Sequence, residues 1–179
     1  MNEQLDAIER QVSKRNFDSP PLHLWHPPLS GEIDIRITAD GDWLHEGRRI
    51  ERDSIVRLFA SILRREEDGE YYLVTPGEKW RIRVDLHPLV ATDVERDASG
   101  VLCITLNTGK RVLVDEEHPL FLEPAVGGVA GIRLDHGLTA IFSRPAWYRL
   151  VEYAEEVDGT TSIRSGASCF RLDGGGGRP

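Results

Sequence analysis

The chain has 179 residues, of which 40% are hydrophobic and 29% are charged, and its formal net charge is −8. This composition is typical of one or two compact domains, and it excludes a disordered chain, a collagen-like fibre and a disulfide miniprotein. The acidic balance argues against bulk nucleic acid or anionic membranes as partners. The first residues lack a basic stretch followed by an apolar one, and no run approaches the roughly 18 apolar residues of a membrane span, so we expect a cytoplasmic protein.

The N-terminal part of the sequence predicts a short helix and then an extended arm. Leu5, Ile8 and Val12 recur at helical spacing, which favours an amphipathic helix over 4–14. The segment PPLHLWHPP at 20–28 contains four prolines, which oppose a helix and favour an arm that covers a sheet edge or a core.

Alternation and turn residues predict that the next part of the chain is mixed α and β. Ile33, Ile35 and Ile37 alternate with charged residues, which is typical of a half-buried strand. Asp53 is a favourable N-cap, and apolar residues follow it at helical spacing. The predicted elements are a strand, a turn, a strand, a helix and two strands, at 33–37, 40–42, 43–46, 53–66, 71–75 and 80–84.

The second half of the sequence is predicted to be mostly strand, with one helix that opens at Pro145. Its predicted strands are 90–95, 101–106, 111–115, 132–135 and 138–142, with a last strand pair near Ile163 and 170–172. We therefore divide the chain into an N-terminal helix and tail, a first α+β unit with the proline-rich arm, a second α+β unit and a flexible glycine-rich tail, at 1–19, 20–85, 86–173 and 174–179.

An internal repeat relates the two halves. The segment RDSIVRLF at 52–59 aligns without gaps on RPAWYRLV at 144–151, an offset of 92 residues. A strand and a turn precede each segment, and an Asp-Gly pair and a strand follow it, although amphipathic helices also resemble each other by chance. We interpret the match as a duplication, which would also create a cleft between two similar units.

Sequence signatures of catalysis are missing. The chain contains no phosphate loop, nucleophile elbow, kinase or dinucleotide fingerprint, and no cysteine pairs for zinc, so we expect no cofactor, no metal and no catalytic residue. His23 and His26 would point to different faces of an extended arm, which argues against a metal site there.

The segment YYLVTPGEKWR at 71–81 is the densest polar and aromatic cluster. A cation, a carboxylate, a hydroxyl and aromatic faces could grip a planar anionic ligand through stacking and charge-assisted hydrogen bonds. The alternative is a hairpin with an exposed ion pair and core tyrosines. The candidates in it are Tyr72, Thr75, Glu78, Lys79, Trp80 and Arg81.

A second cluster contains Trp43 and His45 on one strand face and Arg52 before a helix. A guanidinium beside a helix N-terminus favours the binding of an anion. The alternative is that Arg52 pairs with a nearby acid such as Glu51 or Asp53.

These two clusters carry a family resemblance. The segments are DGDWLHEG at 40–47, IER at 50–52, DGEYYLVTP at 68–76 and EKW at 78–80, with HPL at 118–120 and GL at 137–138 further on. On them the chain resembles the bacterial family of domains of unknown function numbered 1285, from about residue 22 to residue 172.

The resemblance implies a two-part α+β protein built by duplication, in which each β-rich unit has one helix and the second is a partial barrel like a pleckstrin-homology domain. It also implies a ligand site where the two parts meet, for a nucleotide-like molecule, and a role in signal transduction. Leu86 stands where the family pattern has a second acid next to Asp85, which puts any role of that acid in doubt here.

We therefore expect a non-enzymatic, ligand-responsive protein. Stacking contacts are assigned to Trp43, Tyr72 and Trp80, anionic groups to Arg52, Lys79, Arg81 and Arg133, and other hydrogen bonds to His45, Thr75, Glu78 and His118. Two alternatives stay open. The first is a module that binds a protein partner by strand addition or in a groove, and the second is a hydrolase that uses His45 or His118 with Glu78.

Overall fold

The structure is a computed structural model that describes residues 3–13 and 19–173, with Gln4 and residues 11–13 described by their backbone alone. The chain divides into two compact units, Met1–Pro88 and Leu89–Pro179. The predicted glycine-rich tail at 174–179, and residues 14–18 of the predicted N-terminal tail, lie outside the described residues. None of the helices in the described part has the length and the apolar run that a membrane crossing requires.

The first unit contains one six-stranded sheet and two α-helices among its described residues. Its elements in chain order are α1 (Glu3–Ser13), a 3-10 turn (Leu22–Leu24), β1 (Leu29–Ile37), β2 (Trp43–His45), β3 (Arg48–Arg49), α2 (Asp53–Ser61), β4 (Leu63–Arg65), β5 (Tyr71–Val74) and β6 (Lys79–Val84). The strand order is β3-β2-β1-β6-β5-β4. The central pair β1/β6 is parallel, and all other neighbours are antiparallel.

Alternation along β1 gives this sheet two different faces, because successive side chains of a strand point to opposite sides. Ile33, Ile35 and Ile37 are buried on what we call the inner face, and the charged residues between them lie on the outer face. Trp43 lies opposite Ile37 on the inner face, and its ring centre is 6.3 Å from that of Phe59 in α2. The helix α2 therefore covers the inner face.

The second helix is shorter than the sequence predicts. It ends at Ser61, and the next residues form the edge strand β4. Ile62 and Leu63 are fully buried although they lie outside the helix, so their apolar character reflects the core and not a helical face. The expected N-cap is also wrong: Arg52 holds the cap position without a side-chain capping bond, and Asp53 is the first helical residue.

The proline-rich arm packs on the outer face at the edge strand β4, where the sequence predicts an arm that covers a sheet edge or a core. Arg64 lies opposite Tyr72 on that face, and its Nη1 donates to the carbonyls of Leu22 and Trp25, each at 2.9 Å. Leu22 is only 1% exposed. The arm is not extended throughout, since the 3-10 turn at Leu22–Leu24 interrupts it.

The second unit contains a six-stranded sheet, a three-stranded sheet and one α-helix among its described residues. Its elements are β7 (Leu89–Arg96), β8 (Leu102–Leu106), β9 (Arg111–Leu113), β10 (Leu120–Glu123), a 3-10 turn (Pro124–Val126), β11 (Val129–Arg133), a 3-10 turn (Asp135–Gly137), β12 (Thr139–Phe142), α3 (Arg144–Glu152), β13 (Ala154–Val157), β14 (Thr160–Ser165) and β15 (Ser168–Arg171). The strand orders are β10-β11-β12-β7-β8-β9 and β13-β14-β15.

The two six-stranded sheets share one connectivity. Each joins two antiparallel three-stranded meanders through a parallel pair formed by the first strand of one meander and the last strand of the other. The parallel pair is β1/β6 in the first unit and β12/β7 in the second. The α+β class and the presence of two similar β-rich units are thus as predicted.

The helices occupy different places in these related units. The helix α2 connects the two meanders of its sheet, whereas α3 follows the sixth strand. The predicted local repeat of hairpin, helix and hairpin is present, but α3 begins 91 residues after α2, and its buried Ala146 and Leu150 match Ile55 and Phe59. The predicted offset of 92 residues is therefore wrong by one residue. Two apolar helix faces still overlap after a shift of one residue, so a sequence alignment of two amphipathic helices does not fix their exact register.

Both sheets of the second unit are open, with β9 and β10 at the edges of the larger one. Buried Ser165 of β14 fastens the two sheets together, since its hydroxyl accepts from the Leu102 N–H at 2.9 Å and donates to the Val114 carbonyl at 2.6 Å. This arrangement is not a closed barrel, and the pleckstrin-homology-like character of the second unit stays a prediction.

Candidate functional site

The outer face of the first unit carries a connected network around Tyr72. The Nζ atom of Lys79 lies 4.7 Å from the centre of the Tyr72 ring and donates to Oε2 of Glu66 at 2.9 Å. The other carboxylate oxygen of Glu66 accepts from Nη2 of Arg64 at 2.6 Å. The sequence places Lys79 near an anionic ligand, but in the structure its charge is already balanced by Glu66.

Three pKa values describe the electrostatics of this network. The hydrogen bond from its phenol to Asp68 raises the pKa of Tyr72 to about 12. The same bond holds the pKa of the Asp68 carboxyl below its ordinary value. Burial raises the pKa of Glu66, but hydrogen bonds from Lys79 and Arg64 outweigh it, so the net pKa is lowered. The cluster therefore keeps Tyr72 neutral and its acids ionised near pH 7.

A ladder of ion pairs crosses the parallel strands β1 and β6 on the outer face. Glu32 accepts from Arg81, and Asp34 accepts from Arg83. In the third pair the signs are exchanged, with Arg36 on β1 and Asp85 directly after the end of β6. We call this set of pairs the ladder.

An open groove of about 570 Å³ runs beside the ladder. Its lining residues are Glu32, Ile33, Asp34, Glu70, Arg81, Ile82 and Arg83. Its three acids outnumber its two arginines, so the groove does not attract a polyanion. Arg81, which the sequence assigns to anion binding, lies in this groove with Glu32 as its partner.

Thr75 and Glu78 lie in the turn between β5 and β6, and Trp80 follows them in β6. Thr75 is buried, and its hydroxyl accepts from the Glu78 N–H at 3.1 Å. The Thr75 N–H donates to the Glu78 carbonyl at 2.9 Å, and the indole N–H of Trp80 reaches a Glu78 carboxylate oxygen at 3.4 Å. The contacts of these three predicted site residues are those of a hairpin.

Trp43 and His45 lie together on the inner face, where His45 is opposite Ile35. Trp43 is 2% exposed. The Nε1 atom of Trp43 and the Nε2 atom of His45 are buried, and neither has a hydrogen-bond partner within the described part of the chain. Among the described residues of the predicted site, these two are the buried side-chain polar atoms without a partner.

Arg52 lies at the N-terminal end of α2, near this pair along the chain. The Trp43 carbonyl accepts from the Ile50 N–H at 2.8 Å. Ile50 therefore contacts β2 directly, and Arg52 is two residues further along the chain. Its guanidinium is 3.7 Å from the Glu9 carboxylate of α1. The acid that pairs with Arg52 is thus Glu9, and not the adjacent Glu51 or Asp53 considered from the sequence.

The remaining two predicted residues, His118 and Arg133, belong to the second unit. His118 lies between two carboxylates, with Nδ1 3.2 Å from Asp115 and Nε2 3.3 Å from Asp135. Arg133 stacks over the ring of Phe121, with its guanidinium carbon 5.5 Å from the ring centre. Neither contact involves Glu78, which the hydrolase alternative requires.

The predicted site residues of the first unit thus fall on both faces of one sheet. Tyr72, Lys79 and Arg81 share the outer face, whereas Trp43 and His45 share the inner face. One pocket cannot be lined by both groups, so a single cleft that uses all of them is not formed. The expectation that the ligand lies where the two units meet stays a prediction.

Sequence reasoning missed the acids that complete these networks. Glu66 was placed at the end of a helix that stops earlier, and Arg64 with it. Glu32 and Asp34 carried a usable signal, because they alternate with the isoleucines of a predicted strand and so share its exposed face. Within residues 3–13 and 19–173, no group of three or more histidines, cysteines and acids is arranged to hold a metal ion. His26 instead donates to the carbonyl of His23 at 2.9 Å.

The fold and these contacts define a class of protein: a two-unit α+β protein with a duplicated meander sheet and no recognisable catalytic constellation among its described residues. Family profiles identify it further. The N-terminal domain of the DUF1285 family of unknown function matches residues 20–86, and the C-terminal domain of that family matches residues 88–172. The chain belongs to the DUF1285 family.

Two crystal structures of DUF1285 family proteins are similar to this chain. The protein from Silicibacter pomeroyi DSS-3 is 40% identical, with a TM-score of 0.87 over 96% of each chain. The protein from Shewanella baltica OS155 is 32% identical, with a TM-score of 0.57 over 66% of this chain and 90% of its own. No curated protein matches the chain. The family resemblance in the sequence is therefore confirmed, and the family is one of unknown function.

Proposed function

We propose that this chain is a ligand-binding protein whose first unit holds a nucleotide-like small molecule at Trp43 and His45, and that it acts in signal transduction rather than in catalysis. The observation that carries this proposal is the pair of buried nitrogen atoms without partners within the described residues. A buried polar group left unsatisfied costs about 1–3 kcal/mol. A ligand oxygen that accepts from the indole N–H, and a second polar atom that pairs with the imidazole, remove both costs.

The N-terminal end of α2 suits the anionic part of such a ligand. The helix has nine residues, and its N-cap Arg52 makes no side-chain capping bond. Its first N–H groups therefore lack the side-chain acceptor that a serine or aspartate cap supplies, and the helix dipole favours a negative charge there. Arg52 adds a guanidinium, which recognises phosphate or carboxylate oxygens in a fork geometry.

The contact between Arg52 and α1 offers a route from ligand binding to signalling. The ion pair between Arg52 and Glu9 is long, at 3.7 Å, and the Arg52 side chain is 55% exposed, so the pair contributes little to stability. An anion that binds Arg52 competes with Glu9 for the guanidinium and so weakens the ion pair between Arg52 and α1. Leu5 and Ile8, which are buried among the described side chains of α1, then respond to the ligand.

Thermal unfolding of the full chain with nucleoside monophosphates, diphosphates and cyclic nucleotides tests the proposal, with inorganic phosphate as the reference anion. A ligand present at 100 times its dissociation constant adds about 2.7 kcal/mol of stability. Trp43→Phe keeps a ring but removes the N–H, and His45→Leu removes the imidazole; we expect both to weaken the ligand-dependent shift. Trp147→Phe in the second unit is the matched control and should leave it unchanged.

Two results would count against this function. One is the absence of a shift with every nucleotide in the panel. The other is a shift that persists undiminished in both Trp43→Phe and His45→Leu, because binding would then occur elsewhere.

A further inference from the structure

The strand β1 is only half covered on the edge that faces β2. Along its other edge it pairs with β6 from Leu29 to Ile37. On the β2 side, pairing is restricted to Ile35–Ile37, and no other strand of the described residues pairs with 29–34 there. The uncovered stretch spans about 16–20 Å at the usual rise of a strand.

The cause of this half-coverage is the turn that ends β2. Glu46 and Gly47 both have positive φ, at 49° and 75°, and they reverse the chain so that Arg48 pairs back onto His45. Next to the Ile35–His45 pair, the Glu46 N–H donates to the Asp34 carbonyl at 3.1 Å. The chain cannot follow β1 any further because it turns away at this point.

The main chain of β1 remains in strand geometry beyond this bond. Burial alternates from Glu32 to Ile37, so these side chains keep their two faces, although the register with β6 shifts between Leu29 and Gly31 and again between Glu32 and Arg36. Because the Asp34 carbonyl faces the β2 side, the two-residue period of a strand directs the N–H and C=O groups of Glu32 to the same open edge. Such an edge is a template for a further strand.

The acidic side chains at this edge favour a partner strand that carries basic residues. Glu32 and Asp34 lie on the outer face at the margin of the sheet, with their side chains 67% and 54% exposed. Each is paired with an arginine on the β6 side, but a carboxylate accepts from more than one donor. The adjoining groove adds Glu70, which gives an excess of acid. A strand added beside β1 therefore gains from basic side chains at alternate positions.

We propose that the edge of β1 at 29–34 binds an extended segment of a partner protein by strand addition, and that this segment alternates basic with apolar or β-branched residues. Its basic side chains would lie beside Glu32 and Asp34, and its other side chains would lie on the inner side near Gly31 and Ile33. A second copy of this chain is a poor occupant, since it would bring the same acids against each other.

Peptides test this docking on the full chain by calorimetry or fluorescence polarisation. The probe is a capped seven-residue peptide in which lysine alternates with valine or threonine, and its control carries glutamate in place of lysine. We expect the lysine peptide to bind and the glutamate peptide not to bind. Two further peptides carry N-methyl groups on the odd-numbered or on the even-numbered amides. Only one of the two should lose binding, because every second N–H of an added strand faces β1.

Protein variants and amide exchange locate the site. Glu32→Gln and Asp34→Asn should each weaken the lysine peptide by about two- to fivefold, in keeping with exposed charge pairs. Glu95→Gln, which removes an equally exposed and arginine-paired acid in the second unit, should leave the affinity unchanged. Exchange of the Glu32 amide should slow by tenfold or more in the complex.

Several outcomes would overturn the proposal. They are the absence of binding at millimolar peptide, equal binding of the glutamate peptide, unchanged exchange at Glu32 in the complex, and self-association of the chain through this edge.

Discussion

The phenol of Tyr72 donates a 2.6 Å hydrogen bond to the carboxylate of Asp68, four residues earlier in the chain. Asp68 belongs to the turn between β4 and β5, where its other oxygen accepts from the Glu70 N–H at 2.9 Å. One carboxylate thus fixes both the turn and the ring over which Lys79 lies. Tyr72 in this setting is a structural residue of the outer face.

The titration of Tyr72 checks this relationship. Because the bond to Asp68 raises the pKa of Tyr72 to about 12, its phenol should stay protonated to higher pH than an ordinary tyrosine, whose pKa is about 10. The bond therefore stabilises the fold fully below pH 10, and this contribution is lost as the pH rises through 12. NMR of labelled tyrosine rings measures the titration. Asp68→Asn should move the Tyr72 pKa back towards 10, and an unchanged pKa in that variant would contradict the assignment.

Glu66→Gln should destabilise the protein by about 1–3 kcal/mol, because it leaves Arg64 and Lys79 without their shared counter-charge in a partly buried place. The pKa of Glu66 is lowered in the fold, so its contribution is present above the unfolded pKa near 4.3 and is lost as the pH falls through the lower folded value. Denaturant unfolding at pH 7 and in acid measures both effects.

The neighbouring Glu67→Gln is the control for Glu66, since Glu67 is exposed and should change stability by less than about 0.5 kcal/mol. If the two variants lost the same stability at pH 7, the network around Glu66 would not be the cause. A difference between wild type and Glu66→Gln that persisted in strong acid would also argue against it.

Local sequence patterns predicted most of the secondary structure but few of the contacts in the candidate site. Ile33, Ile35 and Ile37 predicted β1 correctly, because a strand that is buried on one face must alternate. Ile62 and Leu63 led to a predicted helix that is too long, because buried residues are apolar whether or not they belong to a helix. Contacts between distant parts of the chain, such as Arg64 with the carbonyl of Leu22, depend on how the strands are ordered, which no local pattern contains.

Gly131→Ala should destabilise the second unit by about 1–3 kcal/mol through overpacking. Phe121 lies directly opposite Gly131 across β10 and β11, and a Cβ at position 131 would clash with the tip of its ring. Arg133 lies over the same ring, with its guanidinium carbon 5.5 Å from the ring centre. Thermal unfolding measures the loss. Gly77→Ala, where a Cβ meets nothing within 4 Å, should be neutral, and equal losses in the two variants would exclude the steric cause.

The same substitution at two histidines should have opposite effects on the ligand-free protein. His45 has a buried Nε2 with no partner in the described residues, so His45→Leu should raise the free energy of unfolding by about 1 kcal/mol, because it removes an unsatisfied group. His118 bridges Asp115 and Asp135 with its side chain 18% exposed, so His118→Leu should lower that free energy by about 1–3 kcal/mol. Denaturant unfolding of the two purified variants gives the comparison directly. A loss of stability in His45→Leu would mean that its imidazole is already satisfied without a ligand, and the binding role assigned to it would then fall.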